Sequence, residues 1–512
     1  MQARRAWTGV EATLAVPERR ASDLMPIFGI AAAVAILHLL TNNRYGFHRD
    51  ELQFLIDAVH LDWGFVPYPP LTPFLEHILL SVFGLSMVGL RLFAVLAQAT
   101  AIVVGGLMAR DLGGGRLAQI TSALAVAFAP ISLFEGTEFQ YTAFDYLWWI
   151  LIAWFAIRLL ATDNPRWWIA IGAAVGLGLE TKYAIAFLIA GIIAGVVFSQ
   201  ARHYLRSPWF WAGIGVALLI FLPNFVWLVR HDFISYHFLQ HIHVRDVGEG
   251  RANGFWRDQA MGCVNLAAVP LCIAGFISFA RGRRYHMLAW MALVPVVLFW
   301  VAKGRGYYTA GVYPALMAMG AVTAERWTAK LGTLAKISIR TVYFAAFAFV
   351  AAYVCALIVP LAQSGPLKQF ALKNNGDLRE EFGWNELVQT IAGIRDSLPP
   401  QQQATVGILV GNYGEAGAVQ MLGPALHLPP PISITNSAWL RGYPAQPPAP
   451  IILVGIRREL ADTEFSGCKV AGHTHNDEGV LNEETHYHLD IFICDAIRTS
   501  WPEFWKHHQW FG

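Results

Sequence analysis

Charge is scarce in this chain. Asp, Glu, Lys and Arg make up only 14% of its 512 residues, against 55% hydrophobic residues and a mean hydropathy of +0.43. Soluble globular domains carry about 25% charged residues, so the deficit excludes one and points to a polytopic membrane protein. An excess of one sign is lacking too. The formal net charge is +2, and Lys and Arg fall in short clusters between apolar runs rather than on one basic face, which gives no sign of a nucleic-acid partner. Cysteines number five. Cys263, Cys272 and Cys355 lie in apolar runs, where a thiol is usually a small hydrophobe. Cys468 and Cys494 lie in the polar C-terminal part, where they could pair if that part faces an oxidising compartment. Also missing are an internal repeat and any low-complexity segment beyond the Pro-rich PAQPPAP stretch.

What is present is a series of apolar runs. Residues 1–23 are arginine-bearing, without a run long enough to insert, and read as a cytoplasmic tail. Leu24 to Leu40 has about the length of a spanning helix, and no small-residue cleavage site follows, so it is expected to be an uncleaved first span. Further runs centred near Val95, Ala125, Ile150, Ala174, Ile192, Leu218, Cys272, Val296, Leu316 and Val350 bring the expectation to about 11 spans. With the tail inside, the cytoplasmic turns hold Arg110 and Arg116, Arg158 and Arg166, Arg202 and Arg206, Arg281 to Arg284, and Arg326 to Arg340. All are basic, as the positive-inside rule asks. The outer turns hold Asp50 and Glu51, Glu135 and Glu138, Glu180 and Lys182, a long loop His231 to Asp258, Lys303 and Arg305, and everything beyond Gln363. Two short runs flank Glu180-Thr181-Lys182; keeping them as two crossings preserves the arginine pattern.

After Pro360 the apolar runs shorten. Trp384 to Leu398 has apolar residues at helical spacing and stops at Pro399-Pro400. ATVGILV, IILVGI and YHLDIFIC read as strands and GEAGAVQML as a helix, which together predict a small α/β domain on the outer face.

The densest chemistry is in the first outer loop. Leu52, Leu55, Ile56, Val59 and Trp63 fall on one side of a helix, so Asp50 and Glu51 precede an amphipathic helix expected to lie in the interface plane. Acids in a first helical turn meet the positive end of the helix dipole. Two adjacent acids beside His48 and Arg49 also suit a general base for a hydroxyl acceptor at a site that excludes water. The prolines at 67, 69, 70 and 73 hold the next segment rigid.

The motifs HRDELQFLIDAVHLDWGFVPYPPLTP, FQYTAFDYLWW, GLGLETKYA, KGRGYYTAGVYPALMAMGA, WNELVQTIAGIR and GNYGEAGAV resemble the integral-membrane glycosyltransferases of the GT-C fold. Within that fold they are similar to bacterial relatives of protein O-mannosyltransferases and of the aminoarabinose transferase that modifies lipid A. The resemblance covers nearly the whole chain, and its first motif is the most specific. It implies an all-α polytopic GT-C catalytic domain over residues 24–363, with interfacial helices in the first outer loop, and an extracytoplasmic α/β domain over residues 364–512. It also implies a location in the bacterial cytoplasmic membrane, with the active site on the outer face. There a sugar passes from a polyprenyl-phosphate carrier to an acceptor: a glycolipid, lipid, polysaccharide or protein hydroxyl. By resemblance Asp50 is the general base, with Glu51 orienting it or the acceptor, and direct displacement inverts the anomeric centre.

A lipid-phosphate leaving group needs cations in a low-dielectric setting. Lys182, Lys303 and Arg305 are the candidates, with Tyr307 and Tyr308 as hydroxyl donors. Lys303 and Arg305 could equally snorkel to headgroups, and Lys182 could form a neutral pair with Glu180. His48, Arg49 and Asp145 are expected to support the site or the acceptor, although Asp145 could simply cap or pair within the bundle. Glu135 and Glu138 fit a solvated turn. The histidines at 231, 237, 241 and 243, and those at 473, 475, 486 and 488, follow no zinc pattern, although each i, i+2 pair of the second group could share a strand face. Since the Trp-Trp-Asp-Tyr-Gly signature of oligosaccharyltransferases is also missing, no metal and no obligatory cofactor is expected. Tyr413 and Glu415 shape a turn or contact an acceptor. The competing class is a non-catalytic carrier or flippase of lipid-linked sugars, which calls for polar or broken helices at the midplane and a repeat relating the halves.

Overall fold

A computed structural model describes residues 24–512; the expected cytoplasmic tail, 1–23, lies outside them. Helix α1 (Met25–Thr41) sets the pattern. Its buried residues, Ile27, Ala31, Val34, His38 and Thr41, recur every three or four positions and form one stripe against the bundle. Met25, Phe28 and Leu40 on the other side are exposed. An apolar outer face is what a lipid solvent permits.

Each predicted apolar run is a helix: Leu92–Asp111, Arg116–Ala127, Tyr141–Thr162, Trp167–Leu179, Ile185–Val197, Pro208–Arg230, Val269–Arg281, His286–Val301, Tyr313–Ala329 and Thr333–Ile358. The two flanking Glu180 to Lys182 are separate helices. Four of the described helices are long and apolar enough to cross a membrane, or up to six if each of two bent pairs counts as one span. The expected 11 crossings therefore exceed what helix length alone establishes, because several runs form helices of only 12–17 residues. Tight packing sets their partners: a Cβ at Gly320 would meet the Leu271 carbonyl at 1.9 Å, and one at Gly275 the Leu316 carbonyl at 2.0 Å. Small residues let the backbones of Val269–Arg281 and Tyr313–Ala329 touch.

The first outer loop departs from expectation. Helix α2 (Arg49–Ala58) does form, but its apolar face is covered by protein: every residue from Glu51 to Ala58 is buried. It ends before Val59 and Trp63, which are exposed. Its covering comes from far along the chain. Leu52, Phe54, Leu55 and Ile56 share one core with Trp384, Leu387, Val388 and Ile391 and with strand residues Ile408, Val410, Ile452 and Val454. Gly417 lets helix Tyr413–Leu422 approach, since a Cβ there would meet the Leu52 carbonyl at 2.3 Å. Helix α3 (Leu71–Phe83) follows the proline run. The expected loop His231 to Asp258 is instead mostly the helix Ile234–Gly248 and the start of Phe255–Met261.

Beyond Pro360, strands β1 (Gly407–Val410), β2 (Pro431–Ser433), β3 (Ile451–Val454), β5 (Lys469–His473) and β6 (Asp490–Cys494) form a sheet in the order β2-β1-β3-β6-β5. Strands β1, β2 and β3 are parallel, whereas β6 is antiparallel to both β3 and β5. The fully buried β1 and β3 are uninterrupted apolar runs, as internal parallel strands are. A two-stranded pair, β4 (Phe465–Ser466) with β7 (Ala496–Ile497), adjoins the Cys468–Cys494 disulfide. Strands β2, β4, β5 and β7 were not expected from sequence; β2 has three residues, and β5 is a largely exposed edge carrying a glycine. His486 belongs to helix Glu483–Tyr487 and His488 caps it, so this pair does not share a strand face.

Candidate active site

The carboxyl ends of β1 and β3, where open α/β sheets bind ligands, meet the start of α2 at a cavity of about 1990 Å³. Its wall includes His48, Arg49, Asp50, Lys182, Lys303, Arg305 and Tyr308. Seven residues expected to share a site are thus brought together from three segments of the chain.

The two adjacent acids have different fates. Glu51 is 2% exposed and fully engaged. It accepts from Arg91 Nε at 2.8 Å and Arg91 Nη2 at 2.6 Å, from the Phe139 backbone at 2.8 Å, and from the His48 backbone at 2.8 Å as the helix cap. It holds the loop together and does not line the cavity, so the expected role of orienting the acceptor finds no contact here. Asp50 does line it. Its Oδ1 accepts from the Tyr413 hydroxyl at 2.8 Å and its Oδ2 from Gln140 Nε2 at 3.2 Å. A carboxylate has about four acceptor sites, which leaves room for the proton of an incoming hydroxyl.

The surroundings of Asp50 are polar and buried. Its backbone N–H donates to His48 Nδ1 at 3.2 Å, and Glu138 Oε2 lies 3.2 Å from the same nitrogen. Burial, reinforced by Glu51 and other carboxylates, pushes the Glu138 carboxyl well above its usual range. A protonated Glu138 can then donate to His48, which matches an accepting Nδ1. Glu135 and Glu138 are both 2% exposed, so the expected solvated turn is not found; helix packing around Phe139 encloses it. Arg49 pairs with Glu483 and lies over the Tyr413 ring, 4.9 Å from its centroid.

Lys182 Nζ is buried and has no hydrogen-bond acceptor among the described residues. The pair with Glu180 is not formed. The ammonium instead lies 3.6 Å from the Tyr308 ring centroid and 4.5 Å from that of Tyr141. Cation–π contacts orient such a charge, but leave its three N–H donors available. Arg305 is already engaged, donating to both Asp246 oxygens at 2.6 and 2.8 Å and to the Tyr307 hydroxyl at 3.3 Å. Arg245 and Arg251 also approach Asp246, each at 3.6 Å. Burial raises the Asp246 carboxyl, but Arg305 and these neighbours more than offset that and hold it below its usual range. Lys303 is exposed at the cavity rim with a left-handed backbone, φ 52°. Tyr307 and Asp145 do not line the main cavity. They border a void of about 20 Å³ behind Lys182, with Glu135, and Asp145 accepts from Trp149 at 3.1 Å.

Sequence reasoning missed Arg91, Gln140, Arg245 and Arg251, and saw Tyr413 without its partner. Only the FQYTAF motif, which contains Gln140, carried a signal for any of them.

Among the described residues, only Glu415, Glu484 and His488 bring metal-ligand atoms within 4.8 Å of one another. These atoms already pair: His488 Nδ1 lies 3.2 Å from Glu415 and 3.1 Å from Glu484. Burial opposes the imidazolium, but the two carboxylates push His488 up to about 10. The group is an imidazolium between carboxylates, with Asn412 donating to Glu484 at 2.9 Å.

Residues 67–227 match the family model for dolichyl-phosphate-mannose-protein mannosyltransferase. The lipid A galacturonosyltransferase RgtD of Rhizobium johnstonii is 26% identical over 260 residues, 49% of this chain and 54% of that protein. The undecaprenyl phosphate-alpha-4-amino-4-deoxy-L-arabinose arabinosyl transferase 1 of Pseudomonas fluorescens is 27% identical over 274 residues, 49% and 48% of the respective chains. The matched region thus spans about half the length of these curated relatives. The crystal structure of ArnT from Cupriavidus metallidurans bound to undecaprenyl phosphate superposes with a TM-score of 0.57 at 16% identity, covering 91% of this chain and 97% of that one. The chain therefore has the GT-C fold of these membrane glycosyltransferases, and its residues 67–227 carry the sequence pattern of the dolichyl-phosphate-mannose-protein mannosyltransferase family.

Proposed function

We propose that this protein is a glycosyltransferase that moves a sugar from a polyprenyl-phosphate carrier to an acceptor hydroxyl at the outer face of the bacterial cytoplasmic membrane. One observation carries the reading: a single cavity holds a half-satisfied carboxylate, Asp50, and a buried ammonium with no acceptor, Lys182. A buried cation without a hydrogen-bonded acceptor is costly unless an anion completes it, and a lipid phosphate is an anion that arrives at membrane depth. The named activity of the undecaprenyl phosphate aminoarabinose transferase supports the same donor class, and that of RgtD supports sugar transfer to a lipid acceptor.

In the reaction the acceptor oxygen attacks the anomeric carbon as its proton passes to Asp50. The bond from that carbon to the phosphate oxygen breaks, and its electron pair leaves on the lipid phosphate. Attack opposite the leaving group inverts the centre. Lys182 stabilises the charge gathering on the phosphate, with Lys303 and the excess arginine charge around Asp246 drawing the headgroup in. No step requires a metal. The outer-face placement, the 11 crossings, and the division into residues 24–363 and 364–512 belong to this reading, supported by the basic inner turns.

The test is transfer by the purified full chain, using labelled undecaprenyl-phosphate sugars, aminoarabinose first, and lipid A as acceptor. Asp50→Asn should lower the rate by about 10²–10⁴-fold while binding of undecaprenyl phosphate persists. Equal rates in parent and variant would remove Asp50 as the base. Movement of the intact sugar lipid across vesicles without transfer to any acceptor would favour a carrier.

A further inference from the structure

Resting on that reading, we propose that Tyr413 is the positioning residue for the base: the C-terminal part of the chain completes the active site by holding Asp50 in its reactive orientation through the Tyr413 hydroxyl.

The contact joins residues 363 positions apart, with the hydroxyl donating to Asp50 Oδ1 at 2.8 Å. Several features fix the tyrosine before Asp50 is considered. It is the first residue of helix Tyr413–Leu422, directly after the buried end of β1. Asn412 caps that helix, accepting from the Glu415 backbone at 2.9 Å, and its amide donates to Glu484. Glu415 in turn accepts from the Gly411 backbone at 2.9 Å. The helix is seated on α2, where Gly417 admits the Leu52 carbonyl and a Cβ at Gly414 would lie 3.3 Å from that of Arg49. The Arg49 guanidinium covers the tyrosine ring and is itself tied to Glu483. Burial outweighs Arg49 and holds the phenol above its usual range, so it stays a donor.

Asp50 therefore has one oxygen fixed by Tyr413 and the other met by Gln140, whose amide also donates to Glu138 at 2.5 Å. Two donors from separate elements define the carboxylate plane. A base needs that definition, because a misplaced carboxylate loses the geometry that makes proton transfer fast. Tyr413 does not touch the acceptor in this account; it acts through Asp50.

Tyr413→Phe keeps the ring, and with it the contact to Arg49, but removes the donor. We expect the transfer kcat to fall about ten- to hundred-fold, the range for a hydrogen bond to a charged group, with the donor KM within about twofold of the parent. Arg49, His48 and Glu138 surround the carboxylate in both proteins, so they set a common background. A double-mutant cycle separates positioning from folding: in the Asp50→Asn background, Tyr413→Phe should add no further loss. Additive losses, or a parental kcat in Tyr413→Phe while Asp50→Asn stays impaired, would overturn the positioning role and leave the proposed function standing. Parental activity in Asp50→Asn would instead remove Asp50 as the base and this inference with it, and absence of transfer by the parent itself would overturn the proposed function.

Discussion

Lys182 borders the cavity with two aromatic rings against its Nζ and no hydrogen-bond acceptor among the described residues. A cation placed that way is set to bind an anion, and removing it should matter most for the ligand that supplies one. Lys182→Ala is expected to weaken binding of undecaprenyl phosphate about ten- to hundred-fold, the range for hydrogen bonds to charged groups, as read by titration of the purified protein. Unchanged affinity would move the phosphate elsewhere. A second residue-scale effect belongs to His488. Its folded value, about 10, stands above the unfolded 6.5. The stabilisation is therefore complete below pH 6.5 and is lost as the pH rises through about 10. Thermal unfolding between pH 6 and pH 10 should show a steeper decline for the parent than for His488→Gln; parallel curves would contradict the ion triad. The sequence displays the acid pair at 50 and 51 openly, but not the division of labour between its members. That division depends on Arg91, Phe139 and Tyr413, which lie 40, 88 and 363 positions from their partners.

At the scale of elements, α2 is the piece whose environment the sequence misrepresents. Its apolar spacing correctly marks a helix, yet the pattern cannot tell a membrane surface from a protein surface. The partner turned out to be helix Tyr413–Leu422, admitted by Gly417. Gly417→Val should force the two apart, destabilising the fold by about 1–3 kcal/mol, the usual cost of overpacking, and lowering transfer with it. A melting temperature equal to the parent's would show that the contact is not tight. In the sheet, β1, β3 and β6 were legible because they are continuous apolar or alternating runs, whereas β2 and β5 are defined by pairing with neighbours rather than by their own residues. The Cys468–Cys494 bridge closes a separation of 26 residues. Its loss in Cys468→Ser with Cys494→Ser should cost about 3 kcal/mol by the loop-closure relation, measurable as a lower melting temperature under non-reducing conditions; no shift would mean that the pair adds nothing to stability.

For the whole molecule, the apolar runs located the described apolar helices except Leu71–Phe83, which the proline run hid, and the arginine-bearing turns suggested an orientation. Helix length alone could not convert those runs into a number of crossings, because many are short and pack on one another rather than standing alone in lipid. The site lies where this helical bundle meets the sheet, so it needs both halves of the chain: Asp50 and Lys182 from one, Tyr413 from the other. The most direct measurement of the central claim is an experimental structure of the full chain bound to undecaprenyl phosphate. The account predicts the phosphate in the large cavity, with an oxygen about 2.7–2.9 Å from Lys182 Nζ, a charge-assisted hydrogen bond. A phosphate bound elsewhere, with Lys182 turned away to pair with Glu135 or Asp145, would contradict it.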